Sequence, residues 1–231
     1  FAPFVANGSF AVEGAPTFGL YNRYAANGTN INAGVTQYTL MVTGAAGVVW
    51  DGGGTDDNWT NGVNWVGDVA PVASNGLVFA GVTRQNNTNN FAAGTVFASL
   101  HLSNGGFILS GNAVTLTEGL YNREGTNRVN LGVTLARDQW FYSESGKLEM
   151  AGSVTGAGRV LTVGGLGQVE MSGGFSGSNK LQKVGAGELV ILGSHSDSGV
   201  AAIGTEVDGG TLRVTGTGRI RHTAADLYVG R

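Results

Sequence analysis

A seven-residue phrase, Gly-x-φ-x-φ-x-Gly with φ apolar, recurs along the second half of this chain and limits what it can fold into. It reads "GGFILSG" from Gly105, "GKLEMAG" from Gly146, "GQVEMSG" from Gly167, "GELVILG" from Gly187 and "GTLRVTG" from Gly210. "GRVLTVG" from Gly158 fits more loosely, with Thr162 in the second apolar slot. Side chains alternate along a strand, so Leu148 with Met150, or Leu212 with Val214, share one face while Glu149 and Arg213 take the other. Two apolar residues per strand cannot form a core alone, but copies stacked in register join them into one interior column.

The last copies start roughly twenty residues apart, the length of a solenoid coil, and the shorter steps fit two faces of one coil. The bracketing glycines Gly146, Gly152, Gly167, Gly173, Gly187, Gly193, Gly210 and Gly216 are then expected at corners, where the backbone takes φ values that other residues resist. Within "LQKVGAGELVILG" this assigns Gly185, Gly187 and Gly193 to corners and Leu189 with Ile191 to the interior. Lys183 and Glu188 go to solvated or corner-facing positions. A β-sandwich is the competing architecture, but its turn signals recur every 8–12 residues or so without such phrase similarity. No convincing amphipathic helix is present.

Composition agrees with a chain of this kind. Its 41 glycines come with three prolines, which fits neither collagen nor a proline-rich linker. Charged residues make up 13%, about half the roughly 25% of an ordinary domain. A net charge of −3 with scattered Lys and Arg offers no basic stripe for a phosphate backbone, so nucleic acid is not an expected partner. The absence of cysteine rules out disulfides and thiolate metal sites and makes passage through an oxidising space harmless. With no apolar run of about twenty residues, membrane insertion by this segment is not expected. The chain starts at Phe1 with neither methionine nor a basic leader, as a processed product or a piece of a longer protein would.

Residues 1–44 differ in texture. They mix short alternations with Asn-Gly turn signals at Asn7-Gly8 and Asn27-Gly28, as a β-rich cap or inter-subunit edge segment would. Residues 45–231 form the repeat region with a tryptophan-rich opening. The phrase "GLYNR" occurs at Gly19–Arg23 and again at Gly119–Arg123, which suggests two equivalent corners.

The candidates for chemistry are few. Asp51, Asp56, Asp57 and Asn58 in "WDGGGTDDNW" supply oxygens that could hold calcium, or else shape turns. Thr55 stands where the Gly-Gly-x-Gly-x-Asp calcium repeat has its third glycine. Trp50, Trp59 and Trp65 either cap the solenoid or present a row on which sugar rings stack, and capping is favoured by the apolar area they carry. His101, His195 and His222 have no metal spacing. Glu144, Glu149 and Glu170 could meet across coils as an acid and base pair of a polysaccharide-degrading β-helix, or sit on a solvated face. "RQNNTNNF", Arg84 to Phe91, reads as a polar corner loop or a ladder of stacked asparagines. No cofactor, metal site or catalytic residue is nominated.

Two passages carry a family resemblance. "VVWDGGGTDDNWTNGVNWVGDVAPVASNGLVFAG", Val48 to Gly81, resembles the tryptophan-rich module that precedes the repeats of bacterial autotransporter-associated β-strand proteins. "LQKVGAGELVILGSHSDSGVAAIGTEVDGGTLRV", Leu181 to Val214, is similar to the passenger-associated repeat itself, and the closing "AADLYVGR" to the start of another glycine-rich repeat from the same kind of large surface proteins. The usual loop between the two strands reads something like Asn-Thr-Tyr-Ser-Gly, and "SHSDSGVAAIGTEV" departs from it.

The resemblance implies a parallel β-helix at the cell exterior, serving as stalk, adhesin or surface layer without catalytic residues. The resulting expectation is an all-β chain, a right-handed parallel β-helix with a β-rich N-terminal cap. It would be secreted or displayed on the cell surface, and would self-associate through strand edges or solenoid ends. A sequence that stops inside an unfinished repeat is expected to be a fragment or to end at an interface. A carbohydrate-binding or polysaccharide-degrading β-helix is the alternative, with a surface glycan as partner.

Overall fold

The computed structural model describes residues 18–19, 41–42, 47–178, 180–197, 203–221 and 226–229. The chain divides into two compact units, Phe1–Ala46 and Gly47–Arg231, two residues from the boundary read in the sequence. In the first unit Phe18–Gly19 pairs antiparallel with Met41–Val42. Residues 20–23, most of the first "GLYNR" phrase, and both Asn-Gly turns lie outside the described residues.

The second unit is a β-solenoid of parallel ladders. The first ladder stacks Val133–Leu135, Val154–Thr155, Phe175–Ser178, Ser194–Asp197 and Arg219–Arg221. The second runs from Val48–Trp50 and Leu77–Phe79 through Gln139–Ser143, Val160–Gly165 and Lys180–Lys183 to Ile203–Val207 and Asp226–Val229. Two long strands, Thr95–Leu102 and Val114–Asn122, bend from the first ladder into the second and join them in one sheet. The third ladder has seven strands: Asn86–Asn89, Ile108–Gly111, Thr126–Val129, Lys147–Met150, Gln168–Met171, Glu188–Ile191 and Thr211–Val214. The sole helical turn among the described residues is the 3-10 turn Gly62–Asn64.

The recurring phrases fall where stacking requires. All five strict copies lie on the third ladder, the last four one coil apart and the first separated from them by Thr126–Val129, with Leu148 beside Val169 and Val169 beside Leu189. The looser copy from Gly158 lies on the second ladder, so the shorter step is a second face of the same coil. Alternation sends Leu148, Met150, Val169, Met171, Leu189 and Ile191 inward, where they meet Leu120, Phe141, Leu161, Val133 and Val154 in one buried column. Each such side chain contributes roughly 1.5–3 kcal/mol by leaving water.

Most of the bracketing glycines are needed for a different reason than expected. Gly146, Gly210 and Gly216 have φ of 68°, 70° and 64°, the left-handed region. Gly152, Gly167, Gly173, Gly187 and Gly193 do not. These five stand where successive coils nearly touch. A Cβ would lie 2.0 Å from Leu131 O at Gly152, 2.1 Å from Gly152 O at Gly173 and 2.4 Å from Gly173 O at Gly193. At the other corner a Cβ on Gly187 would lie 2.1 Å from Gly167 O. The corners are columns of glycine laid carbonyl against Cα, so close approach excludes a side chain there. In the second "GLYNR", Gly119 marks the bend between ladders, and Leu120–Asn122 form a rung rather than a corner.

Candidate functional site

The tryptophan-rich segment closes the start of the solenoid. Val48–Trp50 pairs with Leu77–Phe79 along one edge. Along the other edge the chain folds back: Trp65 bridges Trp50 antiparallel, Val66 N donates to Val49 O at 2.8 Å, and Asp51 N to Asn64 O at 3.0 Å. Trp50, Trp59 and Trp65 are each 0% exposed. Trp50 meets Trp65 edge to face at 5.1 Å between centroids, and Trp59 and Trp65 flank Phe79 at 5.3 and 5.8 Å. Buried indole N–H groups need acceptors, and Trp65 Nε1 finds Trp59 O at 2.8 Å while Trp59 Nε1 finds Asn87 Oδ1 at 2.8 Å. The three indoles form the lid that their apolar area favours, and their burial leaves no row on which sugar rings could stack.

The acidic loop beside the lid uses its oxygens for turns. Asp56 Oδ1 accepts from Asn58 N, Asn61 Nδ2 and Asn64 Nδ2 at 3.1–3.2 Å. The Asn58 N–H, followed by the Asn61 amide, holds its carboxyl below the ordinary range. Asp51 Oδ1 accepts from Gly53 N, and Asp57 pairs with Arg84 at 3.0 Å. No group of three His, Asp or Glu side chains arranged for a cation occurs among the described residues.

"RQNNTNNF" is corrected too. It contains a third-ladder strand, Asn86–Asn89, whose Asn87 and Asn89 point inward and are buried. Asn87 holds the Trp59 indole, and Asn89 Nδ2 donates to Asn112 O at 2.7 Å. Asn127 and Asn122 continue the pattern, with Asn127 Nδ2 on Asn122 Oδ1 at 2.6 Å and Asn122 Nδ2 on Ser145 O at 2.9 Å. These amides supply the hydrogen bonds that the backbone lacks at buried corners.

Two of the three carboxylates meet. Glu149 and Glu170 are neighbours on the outer side of the third ladder, and Lys147 Nζ lies 2.5 Å from Glu149 Oε1 and 3.3 Å from Glu170 Oε2. Arg128 adds a contact to Glu149 at 3.1 Å. Lys147 first, then Arg128, hold the Glu149 carboxyl below its ordinary range. A general acid needs the opposite shift. Glu144 lies elsewhere, at the corner after the second ladder, with its N–H on Asn122 O. Farther along, Arg213 pairs with Glu188, which also accepts from the Gln168 amide.

The histidines do not converge. His101 lies on the outer side of the second ladder, stacked on Tyr121 at 4.6 Å, and burial lowers its pKa to about 4. His195 is buried inside the first ladder, stacked on Phe175 at 4.8 Å. His222 lies outside the described residues.

One expectation is corrected and one feature is new: Lys183 is not solvated but faces the corner from within. Lys183 occupies an inward slot between Val163 and Val207 and is buried, with Nζ donating to Val184 O, Gly185 O and Gly209 O at 2.7, 2.9 and 3.2 Å. Burial pushes its pKa down. The new feature is an outer face on the second ladder. His101, Tyr121 and Tyr142 occupy successive rungs of one column, while Trp140 stands in the next column between Gly119 and Thr162. Farther along, Thr162, Gln182 and Glu206 continue the Trp140 column. Gln182 Nε2 donates to Asp208 Oδ2 at 2.6 Å, and Lys180 pairs with Glu206.

No family model matches the chain, and neither a curated protein sequence nor a solved structure does.

Proposed function

We propose that this chain is a non-catalytic, exported structural protein, a β-solenoid shaft of a bacterial cell-surface filament or adhesin stalk. The observation that carries the reading is the continuous interior column closed at its start by the tryptophan lid. Such a body has the form of a rigid spacer. Glu149 and Glu170 are locked into ion pairs, which suits a rung-to-rung fastener better than proton transfer. A cysteine-free chain crosses an oxidising compartment unchanged, and the resemblance to autotransporter-associated repeats points to the same place.

Self-association through strand edges takes place away from the lid, because the outer edge of Val48–Trp50 is already occupied. Electron microscopy of the purified chain tests the reading. Ordered fibres identify a filament subunit and short single rods a stalk segment. Release of reducing ends or unsaturated sugars from a glycan panel defeats the non-catalytic assignment.

A further inference from the structure

We propose that the outer face of the second ladder around Trp140 binds a neutral polysaccharide chain lying along the solenoid axis. The inference deepens the reading of the chain as an extracellular shaft and rests on it. Of the four tryptophans, three are sealed in the lid and Trp140 alone keeps part of its surface accessible. Its neighbours Gln139 and Phe141 are buried inward, so alternation turns Trp140 and Tyr142 outward.

Each of the two has a glycine as its partner on one side, with Thr162 and Tyr121 as the partners on the other. Gly119 is the partner of Trp140 on one side, and Gly164 the partner of Tyr142 on the other. The benzo edge of the Trp140 indole reaches across Gly164, and a Cβ there would lie 3.2 Å from Cζ3 and 3.7 Å from Cε3. Any larger residue at 164 would push the ring away. Two large aromatic side chains therefore each have one flank opened by a glycine.

Beyond them the same face turns polar. Thr162 Oγ1 contacts Gln182 Oε1 at 3.4 Å, and Gln182 bonds Asp208, which is exposed. Gln182 lies two rungs from Trp140, roughly 10 Å at about 4.8 Å per rung. An aromatic platform followed by amide and carboxylate groups matches a pyranose chain, whose rings offer apolar C–H faces and whose rims offer hydroxyls. Charge selects the class of glycan. Glu144 and Asp208 border the face, and Lys180 is paired with the buried Glu206. Anionic sugars are repelled and neutral ones accepted.

Affinity electrophoresis of the intact chain through gels containing glucan, xylan, mannan or glycol chitin tests this, with alginate and polygalacturonate as anionic probes. At least one neutral glycan is expected to retard the chain. Trp140→Ala should weaken that retardation at least about tenfold, Trp140→Phe should keep part of it, and Gln182→Ala should weaken it without affecting the lid. Circular dichroism checks that each variant is folded. The proposal is overturned if no neutral glycan retards the parent chain, if only anionic glycans do, or if Trp140→Ala, or Trp140→Phe and Gln182→Ala together should the first not fold, migrates as the parent does. Microscopy of the same samples keeps the two readings apart, since a shaft that binds no glycan still forms rods or fibres.

Discussion

The Trp59 indole donates its N–H to the side-chain carbonyl of Asn87 at 2.8 Å, with both groups sealed from solvent. The bond ties the lid to the first third-ladder strand, and either partner left alone would be a buried polar group without a bond. Asn87→Ala is therefore expected to lower stability by about 1–3 kcal/mol. Urea unfolding should show a lower midpoint at unchanged slope. Trp59→Phe combined with Asn87→Ala should cost less than the two changes summed, because the second removes a group the first has already orphaned.

The two kinds of glycine should answer differently to alanine. At Gly173 a Cβ would sit 2.1 Å from Gly152 O, a collision with backbone that only a parting of the coils relieves. At Gly158, with φ 75°, a Cβ meets nothing within 4 Å. Gly158→Ala should cost only the left-handed backbone penalty of about 1–2 kcal/mol. Gly173→Ala should cost clearly more, or prevent folding. Thermal unfolding of the pair decides it, and equal losses would refute the close-approach account.

Acid should loosen the fold in a window set by His101. Its folded pKa of about 4 lies below the unfolded value near 6.5, so the native state prefers the neutral ring. The stability this supplies is complete above about pH 6.5 and is lost as pH falls toward 4, by up to about 3 kcal/mol. Glu149 and Glu188, whose folded pKa values are lowered by their cationic partners, lose theirs at lower pH, on passing through the carboxylate range. Urea midpoints between pH 7.5 and 4.5 should fall for the parent chain and much less for His101→Phe.

Two lysines should differ sharply in weight. Lys183 is buried and satisfies three carbonyls, so Lys183→Met would orphan all of them and should destabilise by more than about 2 kcal/mol. Lys147 is partly exposed between Glu149 and Glu170, and Lys147→Met should cost no more than about 1 kcal/mol. Added salt should shrink the second difference and leave the first nearly intact.

The interior was legible where alternation and repetition agreed. Leu148 with Met150 and Leu189 with Ile191 follow from the period of a strand and the phrase length of a coil. Lys183 occupies an equally regular inward slot after Leu181, but a charge is so rarely buried that residue type points to solvent instead. Asn87 and Asn89 were hidden by the turn-forming habit of asparagine, which says nothing of amides that bond corner backbone from within a strand. At the glycines, a sequence cannot separate a positive φ from a neighbouring carbonyl, because the second depends on the coil next door. Trp140 carries no such signal, because "QWFYS" places three aromatics together and only the stacked rungs settle which of them face outward.

The folded-back edge at Trp65 also bears on how such a chain assembles itself. Each rung bonds only the rung before and after it, and partners such as Val154 with Phe175 or Leu148 with Val169 are separated by a single coil of sequence. Every closure is therefore a short loop of modest entropic cost. A lid completed early, as the chain emerges from a ribosome, provides a finished surface on which the following coils are laid in order. The tryptophan segment is then a nucleus as well as a cover, and its loss should slow folding of the whole stack more than the loss of any later coil.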